Sequence, residues 1–103
     1  MNAVIILDIS DSTQMQNLRQ AFRSNGYYLT WFTPDTSSQN NSKREVYLPH
    51  NIIWRPDIEL QQAIDDVNRI ISQYNVNNPR PITLLRCVVL NSTPWKAIWG
   101  NPV

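Results

Sequence analysis

The sequence of 103 residues has one cysteine, Cys87, one histidine, His50, and two glycines, Gly26 and Gly100. A lone cysteine excludes an intramolecular disulfide and a zinc site built on thiolates. Two distant glycines exclude a Gly-rich phosphate cradle of the Walker or Rossmann kind. Charge is sparse and balanced: nine Lys and Arg stand against eight Asp and Glu, a net charge of +1. There is therefore no overall basic field to attract nucleic acid and no acidic tail, and a charged partner must be met by a local patch. No stretch approaches the ~20 apolar residues that span a bilayer. The opening Met1-Asn2-Ala3-Val4-Ile5-Ile6-Leu7-Asp8 lacks a basic flank and meets a carboxylate too early for a secretory signal. A soluble, cytoplasmic chain without a membrane partner is expected.

Aromatic and aliphatic residues are plentiful by contrast. Hydrophobic residues make up 42% of the chain, with four Trp, four Tyr and two Phe. That suffices for one modest core, and a single domain over residues 1–103 is expected. Ala3 to Ile9 is short, β-branched and apolar on both faces, as in a central strand. Asp11 is placed to cap a helix over residues 12–25, with Met15, Leu18, Ala21 and Phe22 at helical spacing and Asn25-Gly26 as its stop. Tyr27 to Thr33 alternates as a strand should. The polar segment from Asp35 to Arg44 reads as a loop or long hairpin tip. Pairing resumes between Glu45 and Trp54, broken at Pro49, with the stronger strand at Asn51 to Trp54.

Pro56-Asp57 opens a second helix and offers it a cap; Leu60, Ala63, Ile64, Val67, Ile71 and Tyr74 form the apolar stripe, while Glu59, Asp65, Asp66 and Arg69 face outward. Ile82 to Leu90 is a further strand, and Trp95 to Trp99 has the composition of a short fifth one. The order β-α-β-β-α-β is that of a ferredoxin-like α+β sandwich, with two helices on one face of an antiparallel sheet and the first and third strands central. The aromatic surplus exceeds what two helices cover, which suggests dimerisation through the sheet or the terminal strand.

Asp8 is the leading candidate for chemistry. It ends a strand otherwise made of Val, Ile and Leu, where a carboxylate must be solvated, hydrogen-bonded or bound to a cation. One reading has it accept N–H groups from the turn into the first helix; the other gives it metal binding or acid–base work. His50 is a candidate base set against an ordinary surface histidine, and Cys87 fits core packing. For nucleic-acid contact the candidates are Arg19, Arg23, Lys43, Arg44 and Arg55, with Lys96 beside Trp95; a cation next to an exposed aromatic joins phosphate attraction to base stacking.

The segment Ile6-Leu7-Asp8-Ile9-Ser10-Asp11, followed by the helix Leu18-Arg19-Gln20-Ala21-Phe22-Arg23-Ser24-Asn25-Gly26-Tyr27, resembles the opening of the small CRISPR-associated adaptation nucleases and the virulence-associated protein D-like ribonucleases. The likeness covers roughly the first third of the chain. It implies a ferredoxin-like homodimer acting on RNA or DNA, in which Asp8 matches the aspartate that supports cleavage with Mg²⁺ or Mn²⁺. Leu7 stands where that family usually has an aromatic residue, and Thr30-Trp31-Phe32-Thr33 replaces a Ser-Val-Phe-like stretch. Two Asp8 carboxylates across a two-fold axis would suit a hard divalent ion. The resemblance is compatible with a metal-dependent endonuclease or with an inactive relative. A module that binds a protein partner is the alternative of a different class.

Overall fold

A computed structural model describes residues 2–34 and 43–91, and only the backbone of 31–34 and 43–46. The elements run β1 (Ala3–Ile9), a 3-10 turn (Ser12–Gln14), α1 (Met15–Ser24), β2 (Thr30–Pro34), β3 (Lys43–Tyr47), β4 (Ile52–Arg55), α2 (Leu60–Val76) and β5 (Leu84–Asn91). This is an α+β fold with a three-stranded antiparallel sheet, order β4-β1-β5, and a separate two-stranded β2-β3 ribbon. No helix among the described residues is long and apolar enough to cross a membrane.

The first strand is central, as its apolar run suggested. The expected third strand is divided instead, and the division follows the chain's chemistry. Pro49 has no N–H for a ladder, and its carbonyl accepts the Ile52 N–H at 2.9 Å, turning the chain between β3 and β4. Residues 43–47 therefore pair only with β2, while Ile52–Arg55 pair with β1. The second strand starts later than expected, at Thr30, although Tyr28 and Trp54 form an isolated antiparallel bridge that ties the ribbon to β4. Lys43 and Arg44, read as loop, belong to β3. The suggested strand at Trp95 to Trp99, with Lys96, lies outside the described residues, as does 35–42.

Alternation along β1 separates two environments. Ala3, Ile5, Leu7 and Ile9 pack with Leu18 and Phe22 of α1 and with Ala63, Val67, Ile70 and Ile71 of α2, so both helices cover one sheet face. Val4 turns the other way, joining Leu48 and Trp54 in a small second cluster. On that open face, strand register aligns Val4 with Leu90, Ile6 with Val88, and Asp8 with Arg86. A register shift follows at Asp8/Ile9, where Leu85 is the extra residue of β5.

The helix ends follow local chemistry. Asp11 accepts the Thr13 N–H at 3.1 Å and caps the 3-10 turn that leads into α1. Gly26, at φ +92°, turns the chain out of α1 in a conformation that side chains resist. At α2 the expectation needs correction: Asp57 is not a cap, and the N-cap is Glu59, without a side-chain hydrogen bond. Asp57 instead sits at φ 54° in the approach to the helix. The stripe of α2 is also rotated from the predicted one. Ala63, Asp66, Val67, Ile70 and Ile71 are buried and Ile64 is exposed.

Candidate functional site on the open sheet face

Asp8 does not cap the turn into α1; Asp11 does that. The Asp8 side chain points to the open face, 44% exposed, and its Oδ2 accepts two bonds from Arg86 of β5, from Nη2 at 2.8 Å and Nε at 3.1 Å. Cross-strand register causes this pairing, since Asp8 and Arg86 stand directly opposite. The β3–β4 connection brings a third group. Leu7 N–H donates to the Asn51 carbonyl at 2.9 Å, drawing the turn that carries His50 over the end of β1. Asp8, Arg86, His50, Asn51 and Val88 thus line one cavity of about 420 Å³.

The cavity joins an acceptor, a permanent cation and an imidazole on half-solvated ground. A phosphodiester finds complementary partners there: a guanidinium for its oxygens and an imidazole able to hydrogen-bond. Among the described residues, no group of three or more His, Cys, Asp or Glu able to hold an ion occurs.

Of the basic residues proposed for nucleic-acid contact, Arg19, Arg23 and Arg55 have described side chains, and these take separate places. Arg55 is committed inward: its Nη1 lies 3.6 Å from Asp66 Oδ2 and 3.3 Å from the Asn25 carbonyl, and its guanidinium sits 5.6 Å from the Tyr27 ring centroid. Arg19 is half-buried, donating from Nη2 to the Leu29 and Leu48 carbonyls at 3.3 and 3.5 Å. Its Nε is buried without a hydrogen-bond partner among the described residues, and burial lowers its affinity for the proton. Arg23 is exposed at the C-terminal turn of α1. The side chains of Lys43 and Arg44 lie outside the described residues. Cys87 is half-buried against the main core, as expected, and burial pushes its thiol up.

Sequence reading missed a buried, heavily bonded carboxylate. Asp66, assigned to the outer face of α2, is 3% exposed. It accepts from Tyr27 Oη at 2.8 Å, Gln62 Nε2 at 2.9 Å and Arg69 Nη2 at 3.2 Å. Burial raises its pKa, but those three hydrogen bonds and the Arg69 charge together outweigh it and leave the carboxyl below its usual range. Burial, then the Asp66 hydrogen bond, pushes the Tyr27 phenol well up. Gln14 forms a similar hub at the far end of the helices, donating to Asp11 and the Arg80 carbonyl and accepting from Tyr74 and Asn78. Both hubs join α1, α2 and their neighbouring loops, so they hold the covered side of the sheet and leave the Asp8 cavity open.

No family model, curated protein or solved structure matches this chain.

Proposed function

We propose that the chain acts on nucleic acid as a homodimer, with Asp8 at the centre of a phosphodiester-cleaving site like that of the adaptation nucleases it resembles. The observation that carries this reading is the shared cavity of Asp8, Arg86 and His50 at the C-terminal end of β1, which Ser12 and Met15 also line. An α+β fold with both helices on one face of a three-stranded antiparallel sheet favours it, although the separate β2-β3 ribbon departs from a four-stranded ferredoxin-like sheet.

A second copy would add a carboxylate to the site. Val88 and Leu90, each 47% exposed, lie on the face of Asp8, and covering them against another copy buries apolar surface. An Asp8 from each copy would then hold Mg²⁺ or Mn²⁺, a hard ion that prefers oxygen ligands. The ion, when bound, activates water and offsets phosphate charge. Arg86 binds and orients the phosphate, and His50 holds or gives up a proton at its imidazole.

The test is cleavage of RNA and DNA substrates with Mg²⁺, with Mn²⁺ and with chelator. Asp8→Asn is expected to abolish metal-dependent cleavage while keeping the wild-type circular dichroism, and undiminished cleavage by that variant would remove Asp8 from the chemistry. Val88→Lys is expected to shift the dimer to monomer in sedimentation. The same apolar face favours one other reading, a module that recruits a protein partner. Absence of salt-sensitive nucleic-acid binding by the wild-type protein would select it.

A further inference from the structure

A second cavity, of about 550 Å³, opens where the end of α1 meets the start of β2, and it shares no lining residue with the Asp8 cavity. Its volume lies within the range of about 300–1,000 Å³ typical of small-molecule sites. Its lining has two kinds of chemistry. Tyr28, Tyr47 and Trp54 supply aromatic surface, and Tyr28 and Tyr47 remain 50% and 76% exposed. Exposed tyrosines on neighbouring β segments are costly to leave in water, and their rings are stiff, preformed stacking surfaces.

The Tyr28 and Trp54 rings are fixed by the fold. Tyr28 exchanges backbone hydrogen bonds with Trp54, at 2.8 and 3.1 Å, and its ring meets the Trp54 ring at 5.2 Å and 65°. Trp54 Nε1 donates to the Thr30 carbonyl at 2.7 Å, which locks the indole in place. Arg23 is the only charged residue lining the cavity among the described residues. Its guanidinium is exposed and, within those residues, has no hydrogen-bond or ion-pair partner. Arg19 and Arg55 are by contrast taken up internally. With no carboxylate on the lining among the described side chains, the cavity favours anions over cations.

Aromatic faces beside one unpaired guanidinium match a flat ring carrying a nearby anionic group. We infer that this groove binds a nucleotide unit, with the base stacked on Tyr28 and Tyr47 and the phosphate met by Arg23. This deepens the nucleic-acid reading by giving a single-stranded substrate an anchoring subsite apart from Asp8. It rests on that reading only for the polymer, because a free nucleoside monophosphate presents the same base and phosphate.

The test is calorimetric titration of the full chain with AMP, adenosine and ribose 5-phosphate. AMP is expected to bind saturably and more weakly as salt rises, with each of the two fragments at least about tenfold weaker, since stacking and phosphate attraction act together. Tyr47→Ser and Arg23→Gln change exposed side chains and are each expected to weaken AMP by about fivefold or more. Asp8→Asn is expected to leave AMP binding unchanged, so a failed cleavage assay and a failed subsite are told apart. Three outcomes overturn the inference: no AMP binding at millimolar concentration, AMP affinity unchanged in both variants, or a proline-rich peptide binding where AMP does not.

Discussion

Replacing Asp66 by Asn tests how the covered side of the molecule is held. The substitution keeps volume and one carbonyl acceptor but removes the charge and turns an acceptor into an N–H₂ donor. Oδ1 accepts from Gln62 and Arg69, and Oδ2 accepts from Tyr27 beside Arg55, so an amide N–H₂ at Oδ1 faces two donors, and at Oδ2 it can donate to the Tyr27 hydroxyl but faces the Arg55 guanidinium. Breaking a buried ion pair costs ~3–5 kcal/mol. The partners here are partly solvated, with the Arg55 and Arg69 side chains 38% and 46% exposed, so water recovers part of that cost. A loss of about 2–3 kcal/mol follows, or a fall of roughly 8–20 °C in Tm for a domain of this size. Urea unfolding followed by circular dichroism measures it.

The pH dependence supplies a second arm. The native Asp66 carboxyl titrates below its ordinary value of 3.8. The unfolded state therefore takes up the proton first as pH falls, and the stabilisation from Asp66 is complete above that value and lost on descending through the native pKa. The gap between wild type and Asp66→Asn is expected to be constant from pH 7 to 5 and to shrink toward pH 3. A variant within about 0.5 kcal/mol of wild type, or a gap that does not change with acid, would refute the reasoning.

Gly26→Ala is expected to cost about 1–2 kcal/mol, because a Cβ at φ +92° is strained and would approach Arg55 Cζ at 3.4 Å; thermal unfolding reads it. Asp57→Gly, at φ 54°, is expected to raise stability or leave it within about 0.5 kcal/mol, whereas Asp57→Val should lower it by more than about 1 kcal/mol. Leu18→Ala, at a position with no exposed surface, is expected to cost about 2–5 kcal/mol in urea midpoint terms.

The elements were legible where a single period ruled. The apolar run of β1, the Asp11 cap and the Gly26 stop each depend on near neighbours, and all three have their expected places. The stripe of α2 was misread because it contains a charge. Positions 63, 66, 67, 70, 71 and 74 follow helical spacing without a gap, and Asp66 occupies one of them. Its partner Tyr27 lies 39 residues away, so local pattern had no means of showing that the charge would be satisfied. The candidate site was half legible for a related reason. Asp8 stood out as a charge in an apolar strand, and Arg86 is the matching charge in β5. Only the antiparallel register, set by the whole sheet, makes them neighbours. His50 joins them through the Leu7–Asn51 hydrogen bond, a backbone contact that composition does not encode.

The alternation along β1 also fixes what an Asp8 experiment can mean. Ala3, Ile5, Leu7 and Ile9 are 0–5% exposed. A fully buried Ile or Leu contributes ~1.5–3 kcal/mol by leaving water, so the covered face carries the stability of the strand. The Asp8–Arg86 pair faces the other way, with side chains 44% and 83% exposed. Exposed ion pairs of that kind contribute ~0–1 kcal/mol. Asp8→Asn should therefore leave the unfolding midpoint within that small margin, in contrast to Asp66→Asn on the covered side. A carboxylate that contributes so little to the fold yet interrupts an apolar strand is poorly explained by stability. If Asp8→Asn removes cleavage with the midpoint unmoved, the loss belongs to chemistry at the open face, because the covered face that holds the strand has not been touched.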